Sequence, residues 1–252
     1  WFTNSGAFLL GGSNLVINSK IENSDDSVQT ISNNITGAAQ TFEINPVSGD
    51  LTLAGTLNNN GQWVNVYGAN GKTLNLNGAT LNLTTSFSNT TLTLLVANST
   101  INGPGTLTNV AGQTLTLSAS TIAATSALEN QGLLVTQGGT AITGPLTTTP
   151  SSTIRIEGMG TYGNSLLTVA TGFTNTGAIE LTTVTSAYTA QLTTGTLVNA
   201  PTGTITTLVG AAGPRNLFAR LDNQGAITIN QPLTLNLAGA DHVNIGTITL
   251  AA

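Results

Sequence analysis

Leu221-Asp222-Asn223-Gln224-Gly225-Ala226-Ile227 and, 21 residues later, His242-Val243-Asn244-Ile245-Gly246-Thr247-Ile248 share one frame. A large side chain comes first, Asn follows two places on, Gly two after that, and a branched apolar residue closes it. The frame returns at Phe173/Asn175/Gly177/Ile179, at Leu128/Asn130/Gly132/Leu134 and at Leu57/Asn59/Gly61/Trp63. Two looser copies, Leu107/Asn109/Gly112/Leu115 and Leu197/Asn199/Gly203/Ile205, carry short insertions. First positions lie 21 residues apart (107 to 128, 221 to 242) or 24 apart (173 to 197, 197 to 221). The intervals from 57 to 107 and from 128 to 173 each hold about two such periods. Seven copies on one period mark a repeat array.

Outside the frame, apolar residues alternate with polar ones: Leu74/Leu76 and Leu81/Leu83 around Asn75 and Asn82, then Leu115/Leu117, Ile179/Leu181 and Ile227/Ile229. Period-2 alternation is a strand with one buried face, and Gly and Asn punctuate the strands. A sandwich needs no fixed period. A solenoid does, because equivalent positions of successive coils lie above one another. The expected fold is therefore all-β: a single-stranded parallel β-helix (β-solenoid) of about 21–25 residues per coil and roughly 11 coils. At the interstrand spacing it would be about 50 Å long. Residues 51–252 read as one continuous array, and residues 1–50 as less periodic N-terminal coils or a cap. Gly210 to Arg220 reads as a loop or short insertion.

In this frame Gly is expected to supply φ > 0 at a corner. Asn tolerates the left-handed region and can bond its own backbone two residues on. Asn59, Asn109, Asn130, Asn175, Asn199, Asn223 and Asn244 are expected to stack into a structural amide ladder.

Only 6% of the 252 residues are charged, against 39% hydrophobic, so the chain is too apolar for disorder and must make its surface polar with Thr, Asn, Ser and Gln. Net charge is −5, and the five basic residues (Lys20, Lys72, Arg155, Arg215, Arg220) form no phosphate-tracking stripe. No nucleic-acid partner is expected. With no Cys, disulfides and thiolate metal sites are excluded. No apolar run is long enough for a spanning helix, so no membrane insertion by this segment is expected. A start at Trp1 and an end in mid-pattern read as a mature or excised piece of a longer protein.

The stretch from Asp25-Asp26-Ser27-Val28-Gln29 through Asn33-Asn34-Ile35-Thr36-Gly37, followed by Gly49-Asp50-Leu51-Thr52-Leu53-Ala54-Gly55, resembles bacterial autotransporter-associated β-strand repeats. The later Asn-x-Gly-x-Ile copies resemble those of filamentous-haemagglutinin-type passengers. The resemblance implies a right-handed β-helix, export, and display on the bacterial cell surface. It implies no enzyme, and no stretch matches the family's membrane-anchoring β-barrel.

The residues themselves assemble no catalytic or metal constellation. Five of the ten acids fall in the first 50 residues; Glu129, Glu157, Glu180, Asp222 and Asp241 are scattered. Asp25-Asp26 reads as a solvated turn, since neighbouring strand residues face opposite ways. Glu129 and Asp222 share a solvent-facing slot beside Asn130 and Asn223. Arg155 and Glu157 lie on one strand face and read as a surface ion pair. His242, the single His, takes a position held elsewhere by Leu or Phe and reads as terminal-coil packing. Outward Thr pairs (Thr91/Thr93, Thr114/Thr116, Thr204/Thr206, Thr247/Thr249) read as strand formers before they read as an ice-binding array. Trp63 and Tyr67 read as core before they read as a sugar platform.

The expectation is thus a non-enzymatic segment of an extracellular bacterial surface protein, a stiff stalk or adhesin, with no cofactor and no metal. Its rivals are a subunit that self-associates through the solenoid ends, and a glycan-binding or glycan-cleaving β-helix. Expected partners are a further copy, a cell-surface glycan or a host protein.

Overall fold

The computed structural model describes residues 8–10, 14–17, 20–23, 26–37, 43–59 and 71–251. Among these no helix forms, and short strands follow one another along the chain. They pair in parallel, each with the strand one coil away, and build a β-solenoid.

The coil has three sides. The first is a 12-stranded sheet in chain order, running from Phe8–Leu10 through Thr73–Asn77, Thr93–Ala97 and Thr114–Ser118 to Thr247–Leu250. The second is a 13-stranded sheet that begins at Leu15–Ile17. The third is assembled in pieces: Lys20–Asn23 with Glu43–Pro46, and a four-stranded sheet from Phe87–Ser88 to Leu146–Thr148. Farther along, the second and third sides fuse. Ala190–Asn199 and Arg215–Asn223 run through the bend as single strands, with one register shift between Thr193 and Thr196.

Alternation in the sequence becomes vertical columns in the structure. On the first side Leu51, Leu74, Leu94, Leu115, Leu134, Ile154, Ile179, Ile205 and Ile227 lie in register and buried. On the second, Ile35, Leu57, Leu81, Ile101, Ile122, Ile142 and Val169 do the same. The third side contributes Phe87, Leu107, Leu128 and Leu146. Each buried aliphatic side chain contributes about 1.5–3 kcal/mol, and the columns join into one continuous core. Coil length follows the register: 19 residues separate Leu115 from Leu134, and 26 separate Ile179 from Ile205.

Two intervals in the repeat are resolved by this register. Leu146 is the degenerate copy between Leu128 and Phe173, and it pairs with Leu128. Phe87 is the copy before Leu107. Leu57 belongs to neither: it stands with Leu81 on the second side. Asn59 consequently pairs in register with Leu83, away from the third-side corner where the other ladder asparagines sit. A local match to the frame placed it wrongly, because Leu57 opens a different side of the coil. Trp63 and Tyr67 lie outside the described residues.

The expected loop from Gly210 to Arg220 also shrinks. Arg215–Asn223 is strand, its inward Arg215, Leu217, Ala219 and Leu221 alternating with outward residues. Only residues 208–214 leave the ladder.

Candidate functional site

The third-side corner carries a buried column of asparagine amides. Asn89 Nδ2 donates to Asn109 Oδ1 and Asn109 Nδ2 to Asn130 Oδ1, both at 2.7 Å. A second run follows: Asn175 to Asn199 at 2.9 Å, Asn199 to Asn223 at 2.7 Å and Asn223 to Asn244 at 2.6 Å. The same amides brace the turn, as Asn175 Nδ2 also donates to Gly177 O at 3.0 Å and Thr204 O at 3.2 Å. Asn89 was not foreseen, since no Gly follows it in the frame; its signal was Phe87, 20 residues before Leu107. A shorter, half-exposed amide column runs up the second side: Asn102 donates to Asn82 at 2.9 Å and Asn82 to Asn58 at 2.7 Å.

The glycine of the frame has a different role from the one expected. Of the described frame glycines only Gly112 takes a positive φ, 80°. The others are required by close approach: a Cβ on Gly225 would lie 2.2 Å from Gly203 O and 2.3 Å from Ala200 O. At Gly132 the same atom would meet Gln113 O and Val110 O at 2.4 Å. The backbone of each coil is pressed onto the carbonyls of the one before it, which brings neighbouring asparagines within bonding distance. Left-handed residues form their own column at another corner, between the first and second sides: Gly78 (68°), Asn98 (50°), Ala119 (48°) and Gly138 (62°).

Above Gly138 that corner changes. Three consecutive coils extend it into loops over residues 159–164, 184–189 and 208–214, which bond to one another. Thr185 Oγ1 accepts from Gly160 N at 2.7 Å, and Asn164 Oδ1 from Thr189 N at 2.9 Å. Arg215 lies at the base of the last loop, 1% exposed. Its guanidinium donates to Gly213 O at 2.5 Å, to Ala211 O at 3.1 Å and to Leu208 O at 3.3 Å. Desolvation holds its pKa below the usual value. A buried cation is thus spent on backbone carbonyls, adding to the bonds that Leu208 N and Ala211 N make to Leu181 O and Thr183 O on the preceding coil.

The first of these loops reaches back along the rod. Tyr162 packs over Gly138, where an added Cβ would lie 3.4 Å from the Tyr162 Cβ. It lines a cleft of ≈ 290 Å³ together with Thr52, Asn75, Asn77 and Asn98, and with Leu95 and Ala97, which stand in register with Asn75 and Asn77. This grouping has no periodic signature, because a loop insertion carries Tyr162 back to amides on earlier coils.

The acids expected to be scattered are placed singly. Glu129 and Asp222 occupy the same outward slot, and each accepts from a Gln two residues on: Gln131 at 2.7 Å and Gln224 at 3.1 Å. Arg155 pairs across coils with Glu180, Nε to Oε2 at 2.7 Å, and Glu157 accepts instead from Gln137 at 3.0 Å. The expected Arg155–Glu157 pair is replaced because residues in register one coil apart are closer than residues two apart on one strand. His242, read as terminal-coil packing, is exposed, and its Nδ1 accepts from Leu221 N on the preceding coil at 3.2 Å. Among the described residues no three His, Cys, Asp or Glu converge as metal ligands, and no helix is long and apolar enough to cross a membrane.

No family model, no curated protein and no solved structure matches the chain.

Proposed function

We propose that this chain is a structural segment of a secreted bacterial surface protein, serving as a stiff stalk or adhesin. The observation that carries the reading is the stacking itself. Aliphatic columns on three sides and a buried amide column tie each coil to the next, so that bending the rod requires breaking hydrogen bonds in several columns together. A chain with this build transmits force along its axis and presents its sides. The resemblance of residues 25–37 and 49–55 to autotransporter repeats supports export and surface display. The reading includes no catalytic step and no cofactor. It is tested by labelling intact and lysed cells of the source bacterium with antibody against the purified chain. Labelling of intact cells is expected; labelling confined to lysed cells would overturn it.

A further inference from the structure

We infer that the cleft between Tyr162 and the corner asparagines is a binding site for a neutral oligosaccharide. Four observations converge on that chemistry. The lining residues Thr52, Asn75, Asn77, Asn98 and Tyr162 carry amides, hydroxyls and an aromatic ring, and none of them is Asp, Glu, Lys, Arg or His. Each amide offers a donor and an acceptor side by side, as the vicinal hydroxyls of a sugar do. Leu95 and Ala97, in register with Asn75 and Asn77 on the next coil, add apolar surface beside those amides that suits the C–H face of a pyranose. Finally, Asn75 Oδ1 is buried with no hydrogen-bond partner, and its amide makes only a 3.5 Å contact with Thr52 Oγ1. An unsatisfied buried acceptor is costly, and rotation of the half-exposed Asn75 side chain would bring it to a ligand hydroxyl.

The surroundings are built for access. Gly78, Ala119 and Gly138 keep three of the four left-handed positions along the corner small, and the fourth, Asn98, lines the cleft. A volume of ≈ 290 Å³ sits at the lower end of small-molecule sites, sufficient for a short saccharide unit. A phosphate or uronate ligand would need a cation, and none lines the cleft. The site supplies a partner for the adhesive reading without depending on it, because binding is measured on the purified chain and display on cells.

The test is an array of neutral oligosaccharides built from mannose, glucose, galactose and N-acetylhexosamines, with hits titrated by calorimetry. The wild-type chain is expected to bind at least one class. Asn98→Gly, which keeps the left-handed backbone, and Tyr162→Ala are each expected to weaken it ten-fold or more. Asn216→Ala, remote on the second side, should leave it unchanged. If Tyr162→Ala alters the thermal melt, the exposed Asn77→Ala replaces it in the comparison. Absence of any neutral hit, retention of only acidic glycans, or a hit with unchanged affinity in the cleft variants would overturn the assignment.

Discussion

Asn130 and Thr148 stand in register on neighbouring coils, and there the amide column that includes Asn89 and Asn109 stops. Asn130 Nδ2 turns to Thr153 O at 3.0 Å instead, and Asn175 Oδ1, on the far side of the gap, is buried without a hydrogen-bond partner. Thr148 fills part of the role, its Oγ1 accepting from Thr176 N at 3.0 Å. Thr148→Asn is expected to join the two columns and raise stability by about 1 kcal/mol. A chemical-denaturation midpoint that fell would show that the Thr148 bonds to Thr176 outweigh the restored rungs.

Asn199→Ala should have the opposite sign and a larger size. It removes an amide 0% exposed that both receives from Asn175 and gives to Asn223. The loss is expected to be about 2–4 kcal/mol, since it leaves buried partners unpaired. Asn82→Ala, in the half-exposed column, should cost under about 1 kcal/mol because water replaces the lost bonds. Urea titration of the two variants side by side checks the ranking.

A polar defect inside the first-side core offers a stabilising change. Thr136 is in register between Leu117 and Ile156, 0% exposed, and its Oγ1 has no hydrogen-bond partner. Thr136→Val keeps the shape and removes the stranded hydroxyl, for an expected gain of about 1–2 kcal/mol. A lower melting temperature would argue that the hydroxyl is hydrated.

Glycine substitutions distinguish two physical reasons for the same residue. Gly225→Ala drives a methyl to within 2.2 Å of a carbonyl and is expected to break the local stacking, at a cost above about 3 kcal/mol. Gly78→Ala meets nothing within 4 Å and bears only the left-handed penalty, about 1–2 kcal/mol. Ala119 already tolerates that conformation on the same corner. Comparable losses in the two melts would refute the distinction.

Arg215→Met tests the anchor of the 208–214 loop. Gly213 O and Leu208 O lose the guanidinium and Ala211 O keeps only Thr183 Oγ1, and the loop is expected to exchange amide hydrogens at least ten-fold faster while the Asn199–Asn223 corner stays protected. Arg215→Lys should rescue little, since one ammonium lacks the planar fork that spans Leu208, Ala211 and Gly213. Uniform protection across the loop would assign its order to other contacts.

The sequence shows the coil and its corner because both are periodic. Leu221, Asn223 and Gly225 recur at one spacing, and stacking obliges equivalent residues to share a column. Asn59 misleads because Leu57-x-Asn59-x-Gly61 reproduces the frame on another side of the coil, and only interstrand register separates the two. Asn89 is hidden by the opposite accident, a ladder residue with no frame glycine. The frame glycines are conspicuous, yet their reason is contact with the preceding coil, which no single-coil argument supplies. The cleft is illegible because Tyr162 and Asn77 are 85 residues apart and meet only through a non-repeating loop.

Every rung of the buried column points the same way, with Nδ2 toward higher residue numbers and Oδ1 toward lower. Aligned amide dipoles add and polarise one another. Though nearly bare of charge, the molecule therefore has an electrical grain. One end of the column offers a donor and the other an acceptor, so a coil docked upside down meets like against like. Growth of the column is vectorial: each completed turn is a template for the next in one orientation only.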